Sequence, residues 1–288
     1  MKNKIKNISV ILNLSKSEAK EVFDIIIQEG EKYGIKFFLE KKIAKAVQKS
    51  RYGVSNRKFI NNCDMVLAIG GDGTFINAAY IFAKKNVPLL GIHIGGLGFL
   101  TEVKASEISE TFKNIVHNKF KIEERLMLEA RVIRNNKTIK TVTGLNEVVI
   151  HKGKFTRIIK LKSYINKQYI GTFEGDGIIV ATPTGSTGYS LSASGPIVVP
   201  GMKLLIINTI CPHTLGIRPI VVPSSSIIDI KIDTEYEDMI LSIDGIKALN
   251  IKQNDTISIT ESKYTTKLIK SPKRSFFDIL REKFEWVK

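Results

Sequence analysis

The first 120 residues alternate short apolar runs with longer stretches in which apolar residues recur at helical spacing. The short runs predict β-strands at Ile8–Leu12, Ile35–Leu39, 65–69 and Pro88–Ile94. The longer stretches predict α-helices at Ser15–Tyr33, 42–48, 74–85 and 105–119. Strands that alternate with helices favour a parallel, doubly wound sheet, whose ligands bind beyond the carboxyl ends of the strands. We therefore predict an α/β domain over residues 1–120.

The pattern changes from residue 121 onward. Short segments rich in Ile, Val and Thr follow one another and are separated by turn residues, which predicts an all-β domain of packed sheets. The predicted strands are Leu128–Arg134, Glu147–Ile150, Ile158–Ile165, Gly177–Ala181, Leu204–Ile210, Ile227–Ile232, Met239–Ile243 and Thr256–Thr260. After Pro272, an amphipathic helix over Phe276–Trp286 is predicted to return to the first domain. The predicted domains are thus 1–120, joined by 266–288, and 121–265.

Composition narrows the class of protein. The 288 residues are 43% hydrophobic and 25% charged, as in a globular protein. No apolar run is long enough for a membrane span, and the N-terminus lacks the apolar core of a signal peptide, so we expect no membrane partner. The two cysteines, Cys63 and Cys211, lack metal-ligand spacing and favour a reducing compartment, which predicts a cytoplasmic protein. The net charge of +16 is dispersed and no nucleic-acid-binding motif accompanies it, so we expect no nucleic acid partner.

A glycine-rich turn, Gly70-Gly71-Asp72-Gly73-Thr74, follows the predicted strand 65–69. Glycine lets the backbone come close to a ligand, with N–H groups accessible to phosphate oxygens. Asp72 would repel a phosphate unless its carboxylate holds a magnesium ion or accepts a proton from a substrate hydroxyl. The alternative is a tight turn with an aspartate cap, and Thr74 is predicted to cap the following helix. A second glycine-rich turn, Gly95–Phe99, follows the next strand, and the two turns together predict one ligand site.

The densest motif runs from Asp176 to Ser192 and is followed by Gly195-Pro196. Its many hydroxyls can surround a sugar or a phosphate, and Tyr189 can stack on a base or cover a ribose. The alternative is a turn that is merely rich in Ser and Thr, which is the weaker interpretation because an apolar strand leads straight into the motif. Another acidic turn, Asn146-Glu147, stands directly before an apolar run.

Several common catalytic motifs are absent from the sequence: the P-loop, a complete G-x-G-x-x-G fingerprint, H-E-x-x-H and G-x-S-x-G. The motifs that are present follow a fixed order over essentially the whole chain: Gly70–Thr74, Gly95–Leu100, Leu145–Glu147, Asp176–Ser192, Gly195-Pro196, Pro212-His213, Arg218-Pro219 and Ser242–Gly245. On these motifs the chain resembles the NAD kinases. The first of them is shared with phosphofructokinases and lipid kinases, whereas the Thr-Pro-Thr-Gly-Ser-Thr segment is highly specific.

The resemblance implies a Rossmann-like α/β domain, a β-rich NAD-binding domain and an active site between them. It implies transfer of the γ-phosphate of ATP to the 2′-hydroxyl of the adenosine ribose of NAD, which gives NADP. A divalent metal ion, Mg²⁺, is expected to take part, and its ligands stay unassigned. We also expect a homo-oligomer, either a dimer or a tetramer. Two alternatives remain: a lipid or sugar kinase that shares the first glycine-rich turn, and a non-catalytic dinucleotide sensor.

The resemblance also implies roles for individual residues. Asp72 matches the general base, and the dinucleotide-binding positions are Asp72, Gly73, Phe99, Asn146, Glu147, Arg157, Glu174, Asp176, Thr184, Thr187, Gly188, Tyr189, Ser190 and Ser192. Some positions depart from the family pattern: Gly188 replaces a common alanine, and Ile246 a common glutamine. Glu174 stands at a position that is often basic and lies near the nicotinamide end. Oxidised nicotinamide is positively charged, so we expect Glu174 to favour NAD over NADH severalfold.

Overall fold

The structure is a computed structural model that describes residues 5–153, 157–214, 216–235 and 239–286. Its internal contacts divide this part of the chain into two units. The α/β unit contains the described residues up to Glu124 and those from Thr266 onward, and the β unit contains Arg125–Thr265.

A parallel sheet forms the centre of the α/β unit. Its strands are β1 (Asn7–Leu12), β2 (Lys36–Glu40), β3 (Gly53–Val54), β4 (Met65–Gly70) and β5 (Pro88–His93). They are arranged in the order β5-β4-β1-β2-β3, and residues 267–268 pair in parallel with the start of β5. Every residue of β4 is buried, as expected for a strand covered on both faces. The register pairs Gly70 with His93, so the turns that follow β4 and β5 begin side by side.

Helices of the α/β unit pack on this sheet through apolar side chains. In chain order the α-helices of the described residues are α1 (Ala19–Glu31), α2 (Lys41–Ala46), α3 (Asn56–Asn61), α4 (Asp72–Phe82), α5 (Ile108–Val116), α6 (Tyr189–Ser192) and α7 (Phe276–Phe284). The apolar positions of α1 include Phe23 and Ile26, which are fully buried. Phe23 contacts Phe37 of β2 edge to face, with ring centroids 6.3 Å apart. The predicted α/β fold with a parallel sheet is confirmed.

The β unit consists of two packed sheets. Its strands are β6 (Lys121–Arg134), which begins in the α/β unit, β7 (Lys137–Gly144), β8 (Glu147–Lys152), β9 (Ile159–Ile165), β10 (Gln168–Gly175), β11 (Gly177–Ala181), β12 (Leu204–Ile210), β13 (Ile220–Pro223), β14 (Ile228–Ile232), β15 (Met239–Ile243), β16 (Ile246–Ile251) and β17 (Thr256–Lys270). One sheet is antiparallel with the order β13-β12-β11-β8-β15-β16. In the other, β10, β9, β14 and β17 pair in that order, and β6 pairs with β17 and β7.

Side chains from both sheets share one core, which includes Leu128, Ile150, Ile178, Ile228 and Leu241. The intervening positions of these strands face away from this core, since successive side chains of a strand point to opposite faces, and some of them are buried in a second apolar cluster. The prediction of an all-β domain of packed sheets is therefore confirmed.

Helix α7 belongs to the α/β unit, as predicted for a returning C-terminal helix. Ser275 caps it, with its hydroxyl oxygen accepting from the backbone N–H of Asp278 at 3.2 Å. Just before the cap, the Arg274 guanidinium binds both carboxylate oxygens of Glu107, at 3.0 and 2.9 Å. None of the helices in the described ranges has the length and hydropathy needed to cross a membrane.

Candidate active site

Asp72 lies in the first turn of α4, directly after the carboxyl end of β4. The unpaired N–H groups at a helix N-terminus favour a carboxylate at this position. The residue that caps α4 is Gly71, in an extended conformation and without a side-chain cap. The prediction that Thr74 caps this helix is therefore wrong: the helix begins at Asp72, and the backbone N–H of Thr74 already donates to the Gly71 carbonyl at 3.0 Å.

The Asp72 carboxylate binds the backbone of the second glycine-rich turn. Its Oδ1 accepts from the backbone N–H of Leu100 at 3.0 Å, and from the N–H and the hydroxyl of Thr101 at 3.1 and 3.0 Å. Its Oδ2 accepts from the N–H of Phe99 at 2.8 Å. A carboxylate oxygen has about two lone pairs. Oδ1 is therefore fully used, while Oδ2 keeps capacity for one more donor, such as a substrate hydroxyl.

Residue 98 must be glycine for this contact to form. A Cβ at Gly98 would overlap Asp72 Oδ1 and Thr101 Oγ1. Gly73 lies in the opposite environment, because it is exposed and a Cβ there would meet no atom of the described residues within 4 Å. The backbone at Gly73 is thus open to a ligand.

In the β unit, Asp244 holds the backbone of the Asn146-Glu147 turn. Asp244 lies between β15 and β16 in a left-handed conformation, with φ of 48°. Its carboxylate accepts from the backbone N–H groups of Leu145 and Asn146, both at 2.7 Å, and of Glu147 at 3.0 Å. Three consecutive amides therefore converge on one carboxylate, and they set the position from which the side chains of Asn146 and Glu147 project.

Glu147 is a buried carboxyl group with an unsatisfied oxygen. Its residue exposure is 6%, and neither its Oε2 nor the buried Asn146 Oδ1 has a hydrogen-bond partner in the described structure. Burial raises the pKa of Glu147 to about 8, and the charge of Asp244 adds to this, although a hydrogen bond from the Tyr189 backbone opposes it. Buried polar atoms without partners cost free energy. A ligand that bonds to these two oxygens would remove that cost.

The hydroxyl-rich segment after β11 packs directly on Asn146-Glu147. The Thr182 hydroxyl donates to the Leu145 carbonyl at 2.7 Å and accepts from the Gly185 N–H at 3.1 Å. A Cβ at Gly185 would overlap the Asn146 carbonyl, so the segment can approach this closely only with glycine there. At Gly188, a Cβ would lie 3.0 Å from Glu147 Oε2. An alanine at residue 188 would therefore sit directly against the unsatisfied oxygen.

Most hydroxyls of this segment point into the protein. Thr184 is buried and accepts from Arg125 Nη1 at 3.4 Å, and Thr187 donates to the Thr184 carbonyl at 3.3 Å. Ser190 is also buried, and its Oγ lacks a partner among the described atoms. Tyr189 and Ser192 are the exposed members of the predicted set in this segment. Ser190 Oγ therefore joins Asn146 Oδ1 and Glu147 Oε2 as a buried polar atom without a hydrogen-bond partner among the described residues.

A groove of about 370 Å³ opens beside Glu147. Its lining brings Glu147 together with Asp176 and Tyr189, which are also predicted binding residues. Asp176 forms an ion pair with Lys152, whose Nζ lies 2.6 Å from Asp176 Oδ1. The lining of the groove thus includes two acidic residues, one exposed ring and one lysine, and its carboxylates suit a ligand with several hydroxyl and amine donors.

Arg157 and Glu174 are predicted binding residues of the β unit that do not line this groove. Arg157 is exposed and lies immediately after residues outside the described ranges. Glu174 lies at the end of β10, where its Oε1 pairs with Lys160 Nζ at 2.8 Å and its side chain is 42% exposed. Their roles as binding residues stay predictions.

Two further residues take part in this arrangement although the predicted set does not contain them. Asp244 binds three backbone amides of the Asn146-Glu147 turn, and Lys152 pairs with Asp176. The Asp244-Gly245 pair is a turn signal in the sequence, but the acceptor role of Asp244 depends on amides 97 to 99 residues away. Lys152 is one of many dispersed lysines, and no sequence signal distinguishes it.

The described residues contain no group of three or more His, Cys, Asp or Glu side chains that could hold a metal ion. Mg²⁺ usually takes one or two carboxylates together with substrate phosphates, so a dedicated protein cage is not needed for it to act.

Comparisons with known proteins identify the family of this chain. The family model for the ATP-NAD kinase N-terminal domain matches residues 9–120, and that for the ATP-NAD kinase C-terminal domain matches residues 145–271. A NAD kinase of Caldanaerobacter subterraneus subsp. tengcongensis is 39% identical over 279 residues, 97% of this chain and 99% of that protein. A NAD kinase of Natranaerobius thermophilus is 36% identical, over 97% of this chain and 98% of that protein.

Solved structures share the fold. The crystal structure of yeast NADH kinase complexed with NADH matches with a TM-score of 0.90 and 25% identity, over 99% of this chain and 88% of that chain. An NAD kinase from Archaeoglobus fulgidus in complex with ATP matches with a TM-score of 0.75 and 22% identity, over 98% of this chain and 99% of that one. Since the two family models and the relatives above 30% identity together cover nearly the whole sequence, this chain belongs to the NAD kinase family.

Proposed function

We propose that this chain transfers the γ-phosphate of ATP to the 2′-hydroxyl of the adenosine ribose of NAD, giving NADP, with Asp72 as the proton acceptor. The observation that carries the assignment of Asp72 is the difference between its two oxygens. Oδ1 has three donors and Oδ2 has one, from Phe99. A substrate hydroxyl that donates to Oδ2 fills the remaining hydrogen-bonding capacity of this oxygen. The hydroxyl is then positioned for deprotonation by the carboxylate.

The chemistry of phosphoryl transfer suits this arrangement. It depends mainly on positioning the nucleophile and on stabilising charge, and little covalent chemistry is required of the protein. A free carboxylate is a weak base for an alcohol, so Asp72 accepts the proton late, as the new P–O bond forms. The backbone at Gly73, which no described atom covers, leaves room for the dinucleotide to come close.

In the β unit, the proposal assigns dinucleotide binding to the groove beside Glu147. Ribose hydroxyls and the adenine amine are donors, and the unsatisfied oxygens of Asn146 and Glu147 are acceptors. The half-exposed ring of Tyr189 offers a surface on which a base can stack or a ribose can lie. The proposal is supported by the position of Glu147, Asp176 and Tyr189, which come from three separate segments of the sequence and line the same groove.

A divalent cation enters the proposal as the partner of ATP. When bound, Mg²⁺ neutralises charge on the phosphate oxygens as the phosphoryl group moves. The described residues do not supply a cage for it. We therefore expect the metal to enter bound to the ATP phosphates, without a dedicated cage of protein side chains.

We further propose a cytoplasmic homo-oligomer, a dimer or a tetramer. Both cysteines are free, Cys63 buried and Cys211 exposed, which suits a reducing compartment. Light scattering on the purified protein distinguishes the oligomeric states from a monomer.

The decisive experiment is a coupled assay with ATP, MgCl₂ and NAD, in which an NADP-specific dehydrogenase reports NADP. We expect NADP to form at a rate proportional to enzyme concentration, and to stop when EDTA removes the metal. Binding of NAD without formation of NADP would favour the dinucleotide sensor. Phosphorylation of a sugar or of a lipid alcohol in place of NAD would favour the other alternative.

A further inference from the structure

Four aromatic residues of the α/β unit form a cluster on the turn that binds Asp72. This aromatic cluster consists of Phe99 in the turn, Phe276 and Phe284 of α7, and Trp286 just after α7. The ring centroid of Phe99 lies 5.9 Å from that of Phe276 and 6.4 Å from that of Phe284. Trp286 stacks on Phe284 at 5.7 Å, and the ammonium of Lys283 lies 5.8 Å from the centre of the Phe99 ring.

The same residue, Phe99, connects this cluster to the Asp72 carboxylate. Its side chain belongs to the cluster, and its backbone N–H donates to Asp72 Oδ2 at 2.8 Å. Oδ2 is the oxygen that has capacity for a substrate hydroxyl. A shift of Phe99 therefore changes the one hydrogen bond that the described residues donate directly to this oxygen.

The protein core holds the turn at its leucine side chains but does not enclose the ring of Phe99, which helix α7 contacts. Leu97 and Leu100 are buried and anchor the turn to the core, whereas Gly95 and Gly96 are exposed. Phe99 itself is only partly buried. Aromatic pairs at these separations stabilise one another by about 0.5–1.5 kcal/mol beyond area burial. The contacts with Phe276 and Phe284 thus restrain a ring that the core does not enclose.

We propose that Phe276 and Phe284 are positioning residues for phosphoryl transfer, which act by holding Phe99 and, through its N–H, the Asp72 Oδ2 atom. This inference rests on the proposed role of Asp72 as proton acceptor. Displacements of about 1 Å at a reacting group are enough to slow an enzyme by up to about a hundredfold. The C-terminal helix is therefore part of the apparatus that sets the geometry of the reaction, although its aromatic residues touch no reacting atom.

Phe276→Ala tests this proposal, with Phe277→Ala as the matched control. Both residues lie at the start of α7, and Phe277 packs on Phe276 with a centroid distance of 5.6 Å. Phe277 is 53% exposed, and the rings found against Phe99 in the described part of the chain are those of Phe276 and Phe284. The buried anchors of α7, Ile279 and Leu280, stay in place in both variants, so both are expected to fold.

Two measurements are made on each variant of the full chain. The first is the coupled assay, in which kcat of Phe276→Ala should fall by about tenfold or more while the KM for NAD changes less. The second is hydrogen exchange without ligand, in which the amides of Phe99, Leu100 and Thr101 should exchange faster than in the wild type. Phe277→Ala should change neither quantity, and Phe276→Tyr, which keeps the ring, should restore both.

Equal kcat values for Phe276→Ala and Phe277→Ala would overturn the inference. A fall in kcat without faster exchange at Phe99–Thr101 would overturn it too, because α7 would then not act through the turn. Failure of the proposed function is a separate outcome: the wild type itself would form no NADP. In that case the exchange data alone still report whether α7 holds the turn.

Discussion

The two units each present a carboxyl group at their candidate site, and the two groups are in opposite environments. In the α/β unit, the Asp72 carboxylate accepts from four donors of three consecutive residues, and its Oδ2 has capacity for one more. In the β unit, Glu147 is buried, has an oxygen without a partner in the described structure, and has its pKa raised to about 8. One carboxylate is held before any ligand arrives, and the other lacks the partner that would satisfy it.

The different environments of Asp72 and Glu147 suit two different tasks, accepting a proton and selecting a ligand. A group that accepts a proton must be oriented in advance, because freezing its motion during the reaction would add to the barrier. A group that selects a ligand increases the affinity when the ligand supplies its missing hydrogen bond. In the free protein, the same unsatisfied group lowers the free energy of unfolding. Removing each group should therefore affect different quantities.

The largest effect is expected for Asp72→Asn. An Asn amide can keep Oδ1 towards Leu100 and Thr101, but its NH₂ group cannot take up a hydroxyl proton. Turnover should fall by roughly a hundredfold or more, while the affinity for NAD changes far less. Steady-state kinetics and calorimetric titration with NAD measure the two quantities.

Thr101→Val is the control for the structural role of the Asp72 contacts, because it removes one donor and leaves the carboxylate. It should cost much less activity than Asp72→Asn. Near-wild-type turnover of Asp72→Asn would show that Asp72 is not the base and that its contacts with the second turn are its whole role.

The next effect is expected for Asp244→Ala. The change leaves the amides of Leu145, Asn146 and Glu147 without their acceptor, so the turn should loosen and the KM for NAD should rise by about tenfold. The carboxylate of Asp244 also contributes to the raised pKa of Glu147, so this pKa should fall in the variant. An NMR titration of Glu147 and the KM for NAD are the measurements, and an unchanged KM would remove Asp244 from the binding site.

A pH-dependent effect is expected for Glu147→Gln. An unperturbed glutamate titrates at 4.5, whereas the folded-state pKa of Glu147 is about 8. Between these values the folded state holds a proton that the unfolded state has lost, so the free energy of unfolding falls as the pH rises. A glutamine at this position does not titrate, so the free energy of unfolding of Glu147→Gln should not fall in this way. Relative to the wild type, the variant should therefore become more stable from pH 5 to pH 8, by roughly a few kcal/mol.

Thermal unfolding at several pH values measures this difference. Glu261→Gln, an exposed change on β17 in the β unit, is the matched control and should show no such trend. A constant difference in Tm between Glu147→Gln and the wild type across this range would contradict the raised pKa. The KM for NAD of Glu147→Gln should rise, since the ligand loses an acceptor.

The smallest effect is expected for Glu174→Gln. The pairing of Glu174 with Lys160 at 2.8 Å reduces the charge that an approaching nicotinamide would meet. The ratio of kcat/KM for NAD to that for NADH should therefore fall by less than about fivefold. Lys160→Gln, which removes the partner, should shift the ratio in the opposite direction. If neither change alters the ratio, Glu174 has no part in choosing between the two dinucleotides.

Elements with a strong apolar pattern were predictable, and weakly patterned ones were not. Strand β4 is apolar from Met65 to Ile69 and buried throughout, and its position was predicted closely. Strand β7 has mostly exposed residues, two of them lysines, and it forms because it pairs with β6. Strand β10 is likewise exposed or half-buried over most of its length and pairs with β9. Such strands depend on their partners rather than on their own hydrophobic pattern.

The sequence by itself determined the two-part fold class, the glycine-rich turns, the hydroxyl-rich segment and the family, because these depend on local periodicity and on contiguous motifs. Only the tertiary structure decided which oxygen of Asp72 is available, since its donors lie 27 to 29 residues away. It also decided that Asp244 holds the Asn146-Glu147 turn and that Glu147 is buried with one oxygen that lacks a partner in the described structure. Burial, charge and hydrogen bonding of a side chain are set by whichever segments fold against it, and those segments are distant in the chain.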